Sequence, residues 1–185
     1  DAQAVGMVLF AASGNDAYKD GIGFPACYSA TQSVGAVYDQ NYHGSYWTSY
    51  NDDGSFKCRD VEPSADEVTC YSNSASFLDV AAPATCATSA LPNNGTTTCF
   101  GGTSSATPFT SGVAALAVQA AGKGVLAPVD MLEVLVTKSH CLQVQLVSTI
   151  SALSSFLDTL QAVADTASNS KGEINILQKM DRCKR

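Results

Sequence analysis

Ser104 stands in the run Gly102-Thr103-Ser104-Ser105-Ala106-Thr107-Pro108, directly ahead of an Ala-rich stretch that closes on Gly122 and Gly124. A serine at the start of a helix is placed for acyl transfer. Free backbone N–H groups and the positive end of the helix dipole face whatever lies beside its Oγ. An oxyanion forming there would be held by the Ser104 N–H, and small neighbours (Gly101, Gly102, Ala106) let a peptide approach closely. A bare Gly-Thr-Ser equally suits an ordinary helix cap, so the chemistry rests on a wider pattern. A general base must also be found, because a serine hydroxyl is a poor nucleophile near neutral pH. The two histidines do not supply it. His43 lies in a polar stretch and His140 precedes Cys141, and both read as exposed or capping residues.

The elements that would carry this serine are legible around it. Thr103 to Ala121 is rich in strong helix formers, with the glycines as a stop. Pro108 is tolerated only in a first turn, which puts the helix start close to Ser104. The run "AVGMVLFAASGN" ends in Gly14-Asn15 and reads as a buried parallel strand leading into a loop, with "DAQAVG" as the tail of a helix before it. Ser33 to Asp39 and Ser76 to Pro83 are two further strands. Gln40 to Ser74, rich in Tyr, Asn, Asp and Ser, reads as a long surface insertion. Within it "NDDGS" (Asn51 to Ser55) lacks the remaining offsets of a calcium loop and reads as a solvated turn. A second helix is predicted over Pro128 to Lys138, with Leu132, Leu135 and Val136 on one face. Beyond about Leu142, Ile150, Leu153, Leu157, Leu160, Ala164 and Ala167 form an apolar seam of a docking helix.

The segment "GTSSATPFTSGVAAL" resembles the serine motif of the subtilisin-like serine proteases, the subtilases, in Gly102, Thr103, Ser104, Ala106, Pro108, Gly112, Ala114, Ala115 and Leu116. "VLFAASGN" is similar to the family strand ending in Ala-x-Gly-Asn, "FPACYSATQSVGAVYD" to the segment after it, "SFLDVAAP" to the strand and loop before the nucleophile, and "LAPVDMLEVLVTKS" to the helix after it. The likeness covers roughly Val5 to Ser139, in the family's order. It implies an α/β, three-layer subtilisin-like fold with a mostly parallel sheet. Residues 1–141 are then the C-terminal half of the catalytic domain and residues 142–185 a helical C-terminal extension. It implies peptide-bond hydrolysis with Ser104 as nucleophile and Asn15 as the oxyanion donor. Gly14, Phe24, Pro25, Ala26, Gly102 and Thr103 would line the substrate side.

In this family the triad acid and base precede the Gly-Asn strand. The Asp and the His are therefore expected from an N-terminal half, either a separate chain or a segment outside this sequence, and the chain alone is expected to be inactive. The numbering opens without a Met or a signal-peptide pattern, which reads as a processed end or a start in mid-protein. The alternative is a non-catalytic subtilase-like subunit that binds or builds. The chemistry requires no cofactor; a structural calcium is possible in principle but cannot be read from these residues.

Seven Cys residues lack the paired spacing of a zinc site, so no metal is expected, and disulfides of an oxidising compartment are the better use. Cys86 with Cys99 would rigidify the loop before Ser104, and Cys58 with Cys70 would staple the insertion; Cys27, Cys141 and Cys183 have no evident mates. Asn94-Gly95-Thr96 is a glycosylation sequon, which agrees with a secreted protein. The 185 residues are 45% hydrophobic and 15% charged, enough for a core, and the net charge of −7 argues against nucleic acid. No apolar run approaches the roughly 20 residues of a membrane span.

Overall fold

The computed structural model describes residues 2–122, 126–127 and 130–136. The opening segment forms a 3-10 turn at Gln3–Val5, closed by Gly6, where a helix tail was expected. The apolar run after it becomes a strand only at β1 (Phe10–Ala12). There follow β2 (Gln32–Val37), β3 (Ser45–Tyr50), β4 (Phe56–Val61), β5 (Val80–Pro83), β6 (Ala87–Leu91), β7 (Gly95–Phe100) and helix α1 (Thr103–Ala121).

A three-stranded parallel sheet in the order β1-β2-β5 carries the site. Its register pairs Phe10 with Gln32, Ala12 with Val34, Val34 with Val80 and Ala36 with Ala82. All of β2 is buried, as the central strand of a parallel sheet must be. The apolar runs Ser33–Asp39 and Ser76–Pro83 therefore give the predicted strands, each shorter than the run. Helix α1 lies against this sheet through Ala106, Ala114 and Ala117. Ala106 joins Val34, Ala36, Ala82, Ala84 and Tyr71, while Ala114 and Ala117 meet Met131, Val134 and Leu135 beside Phe10 and Val80. Methyl side chains at these positions bring the helix axis close to the strands. Parallel strands and an Ala-rich helix give a mixed α/β architecture, as the resemblance implies.

Four local expectations change. The stretch Gln40–Ser74 is not all surface. β3 and β4 form an antiparallel hairpin over it, and Thr69, Tyr71, Ser72 and Asn73 beyond the hairpin are buried. Their polar groups are satisfied internally, which is why polar residues can sit inside. Second, the segment between Cys86 and Cys99 is the hairpin β6–β7 rather than a loop. Asn93 and Asn94 both take φ 58° at its tip, and the Gly95 N–H donates to the Pro92 carbonyl. Third, Pro108 lies beyond the first turn, six residues into α1, where its missing N–H deprives the Ser104 carbonyl of an intrahelical donor. Fourth, residues 130–136 are helical as predicted, but the buried face is Met131, Val134 and Leu135, while Val136 is exposed. The seam from Ile150 to Ala167 lies outside the described residues, as do Pro128 and Lys138.

Disulfides join Cys58 to Cys70 and Cys86 to Cys99. Cys141 and Cys183 lie outside the described residues. The "NDDGS" stretch is the exposed turn joining β3 to β4, with Asp53 Oδ1 accepting from the Ser55 N–H (2.9 Å) and Oγ (2.6 Å). Among the described residues no helix is long and apolar enough to cross a membrane.

Candidate active site

Two chain segments meet at the serine. One is the loop leaving β1, Ser13-Gly14-Asn15-Asp16; the other is the entry to α1, Gly102-Thr103-Ser104. Thr103 is the joint. Its main-chain N–H and its hydroxyl both donate to Asn15 Oδ1, at 2.9 and 3.0 Å, and its Oγ1 accepts from the Gly14 N–H at 3.3 Å. With the carboxamide oxygen of Asn15 so engaged, its Nδ2 end is the one left to act as a donor. That end lies over Gly102, where an added Cβ would come within 3.1 Å of Nδ2. Gly102 also needs its own freedom, with φ 83° as the residue capping α1.

Ser104 follows directly, exposed in the first turn of α1. The Ser105 N–H turns back to the Gly102 carbonyl at 2.8 Å. No acidic residue lies in the first helical turn to offset the positive end of the dipole. Among the described residues, no side chain hydrogen-bonds the Ser104 hydroxyl. His43 is exposed in the stretch before β3, and His140 lies outside the described residues.

Of the predicted substrate-side residues, Phe24, Pro25 and Ala26 are tied to the end of β1. The Gly23 N–H donates to the Ser13 carbonyl at 2.8 Å, which hangs the turn Phe24-Pro25-Ala26 on the end of β1. The Phe24–Pro25 peptide is cis. Thr31 Oγ1 donates to the Pro25 carbonyl at 2.8 Å and secures that turn. Ala26 is buried beneath it, whereas Phe24 projects outward at 83% exposure. Asn94 stands exposed at the tip of the β6–β7 hairpin, away from the sheet.

Sequence reasoning missed two supports of this arrangement. Tyr71, buried against Trp47, accepts the Ala17 N–H at its carbonyl at 2.8 Å, and burial pushes its phenol up. Asn73, wholly buried, holds the Gly14–Tyr18 loop. Both sit in "CYSNSAS", where an Asn after a polar run has the look of any turn residue.

A family model described as the subtilase family matches residues 1–172. The chain belongs to the subtilase family. This subtilase is 35% identical over 118 residues to the alkaline elastase YaB of Bacillus sp. (strain YaB), covering 64% of the chain and 24% of that protein. It is 34% identical over 114 residues to subtilisin E of Bacillus subtilis (strain 168), covering 60% and 23%. Among solved structures it is similar to the self-cleaved protease domain of PatA, with a TM-score of 0.52 at 26% identity over 85% of this chain and 52% of that one. The prenylagaramide maturation protease PagA gives a TM-score of 0.51 at 25% identity over 84% and 52%. The subtilase thus spans about a quarter of the curated relatives and about half of the solved chains it matches.

Proposed function

We propose that this subtilase forms the nucleophile-bearing half of a serine endopeptidase. The observation that carries the reading is the double hydrogen bond from Thr103 to Asn15 Oδ1, which leaves the Asn15 amide beside the N-terminus of the serine's helix. Ser104 Oγ attacks the scissile carbonyl of a peptide or protein substrate, and a histidine takes its proton. The oxyanion is held by the Ser104 N–H and Asn15 Nδ2, two donors fixed before the charge develops. The histidine then protonates the leaving amine, and water attacks the acyl-enzyme in the second half of the cycle.

The Asp and His of that triad come from an N-terminal segment or chain, which makes these residues inactive alone. Helix α1 supports this. Its 19 residues carry no charged side chain, yet Phe109 and Leu116, which share one face of it, are exposed. Exposed large apolar side chains on a helix without charge fit a covered surface. We place the acid- and base-bearing half on that face. Disulfides and an exposed sequon at Asn94 support a secreted, glycosylated protein. No cofactor is needed for the chemistry, since the protein's own donors supply the charge stabilisation.

The test is covalent labelling of the complete protein with a fluorophosphonate. Labelling is expected at Ser104, absent in Ser104→Ala, and slowed about 10²–10³-fold in Asn15→Ala, the size of effect for losing one oxyanion donor. A complete, folded protein that takes no label overturns the peptidase reading and leaves a non-catalytic subtilase-like subunit.

A further inference from the structure

Every polar atom of Asn73 is spent on one loop. Its Oδ1 accepts from the Asp16 N–H at 2.9 Å and the Tyr18 N–H at 3.1 Å. Its Nδ2 donates to the Ser13 carbonyl at 3.1 Å and to Asp16 Oδ2 at 2.9 Å. Its main-chain N–H donates to the Gly14 carbonyl at 2.9 Å, and its carbonyl accepts from Ser13 Oγ at 2.8 Å. Two N–H groups can meet only an oxygen, and two oxygens only the amino group, so these partners dictate the orientation of the carboxamide. The side chain is 0% exposed, so these bonds face no competition from water.

All of these partners lie in Ser13–Tyr18, the loop that carries Asn15, while Asn15 itself is touched by none of them. Gly14 closes the arrangement. Its φ is 105°, and a Cβ there would collide with the Asn73 amino group. The loop is therefore shaped around Asn73 as a template, with a glycine where the template presses against it. The same three-residue segment reaches the other side of the site. The Tyr71 carbonyl accepts from the Ala17 N–H at 2.8 Å, and the Tyr71 side chain shares a buried cluster with Ala106 of α1.

We infer that Asn73 is a positioning residue for the oxyanion site, holding the Ser13–Tyr18 loop so that the Asn15 amide stays beside Ser104. It touches neither substrate nor reacting atoms and acts through Asn15. Its catalytic consequence rests on the peptidase reading; its structural consequence does not. An asparagine that merely filled the core would satisfy its own amide anywhere, without spending both main-chain groups on the same loop.

A double-mutant cycle in the complete protein separates the roles. Asn73→Ala is expected to slow fluorophosphonate labelling of Ser104 at least about 10-fold, on the scale of a partly lost oxyanion donor. The double variant Asn15→Ala/Asn73→Ala is expected to label no slower than Asn15→Ala alone, because the second change acts only through the first. Labelling of Asn73→Ala at the parental rate, or losses that multiply in the double variant, overturns the inference. If Asn73→Ala does not fold, Asn73→Asp takes its place in the cycle. That change keeps the acceptor for Asp16 and Tyr18 but sets a carboxylate against Asp16, so adding Asp16→Asn is expected to restore labelling, and no restoration counts against it.

Amide hydrogen exchange decides the matter without any activity. The Asp16 and Tyr18 N–H groups are expected to exchange faster in the Asn73 variant, with the amides of α1 unchanged. Unchanged exchange at both residues overturns the inference. A protein that takes no label yet shows this local exchange loses the peptidase reading and keeps the positioning role.

Discussion

Thr103 and Asn15, 88 positions apart in the chain, share two hydrogen bonds on one oxygen: the Thr103 N–H at 2.9 Å and its hydroxyl at 3.0 Å both donate to Asn15 Oδ1. The relation engages the oxygen end of the Asn15 amide and leaves Nδ2 as the donor end, over Gly102. An amide whose oxygen is doubly engaged cannot flip without losing both bonds, so the donor end is presented before any substrate arrives. Preorganised donors of this kind need no rearrangement as charge develops.

Thr103→Val keeps the shape and removes the hydroxyl. It breaks the second bond to Asn15 and leaves the Gly14 N–H without its partner at 3.3 Å. The expected loss is about 1 kcal/mol of stability, the cost of stranding a partly buried donor, together with slower labelling of Ser104. Thr103→Ser keeps the hydroxyl and should retain most of both. Denaturant midpoints and labelling rates on the three proteins check it; loss in Thr103→Ser with none in Thr103→Val would show that the methyl group, not the hydroxyl, matters.

Burial raises the phenol pKa of Tyr38, Tyr42 and Tyr71 above the ordinary value of 10.0, and for Tyr38 the 2.6 Å bond to Asp60 adds to it. The folded protein therefore holds these protons more tightly than the unfolded chain. Stability from this source is complete below about pH 10 and is lost as pH rises towards the raised folded values. The denaturant midpoint is expected to fall between about pH 10 and pH 11.5, and to fall less steeply in Tyr38→Phe. A midpoint that holds level over that interval contradicts the assignment.

The candidate residues Ser104 and Asn15 and the elements that carry them were legible because each rests on a local signal. Gly102-Thr103-Ser104 heads an Ala-rich stretch, and Gly14-Asn15 ends an apolar run; both patterns survive intact as α1 and as the loop after β1. Asn73 and Tyr71 were not legible. Their roles come from partners up to 60 positions away, and polar residues buried by long-range hydrogen bonds look like surface residues in sequence. The β6–β7 hairpin was missed although Asn93-Asn94-Gly95 is a turn signature. The helix after α1 was placed correctly but rotated. Leu132 and Val136 are apolar, yet the sheet side is met by Met131, Val134 and Leu135, a stripe that spacing alone did not single out.

The two disulfides should differ in consequence. Cys58–Cys70 spans 12 positions and joins β4 to the segment that leads into Tyr71 and Asn73. Removing it with paired Cys→Ala changes is expected to lower stability by about 3 kcal/mol from loop entropy, and to slow labelling as well. Cys86–Cys99 closes an exposed hairpin, so its removal should lower stability with a smaller effect at Ser104. Thermal melts and labelling of both variants, with the parent under reducing conditions alongside, test the order.

Charge on the bare face of α1 tests where the other half of the site comes from. Leu116 and Phe109 are exposed at 36% and 50% here, on a helix without one charged residue. If the acid- and base-bearing segment covers this face, Leu116→Glu buries an unpaired carboxylate in the complete protein. The expected cost is about 3–5 kcal/mol of stability, as for an uncompensated buried charge, with labelling of Ser104 lost. A surface position would instead tolerate the change within about 0.5 kcal/mol. Leu116→Met keeps the apolar contact and should behave as the parent. A complete protein carrying Leu116→Glu that melts and labels like the parent would place the covering segment elsewhere, and the base with it.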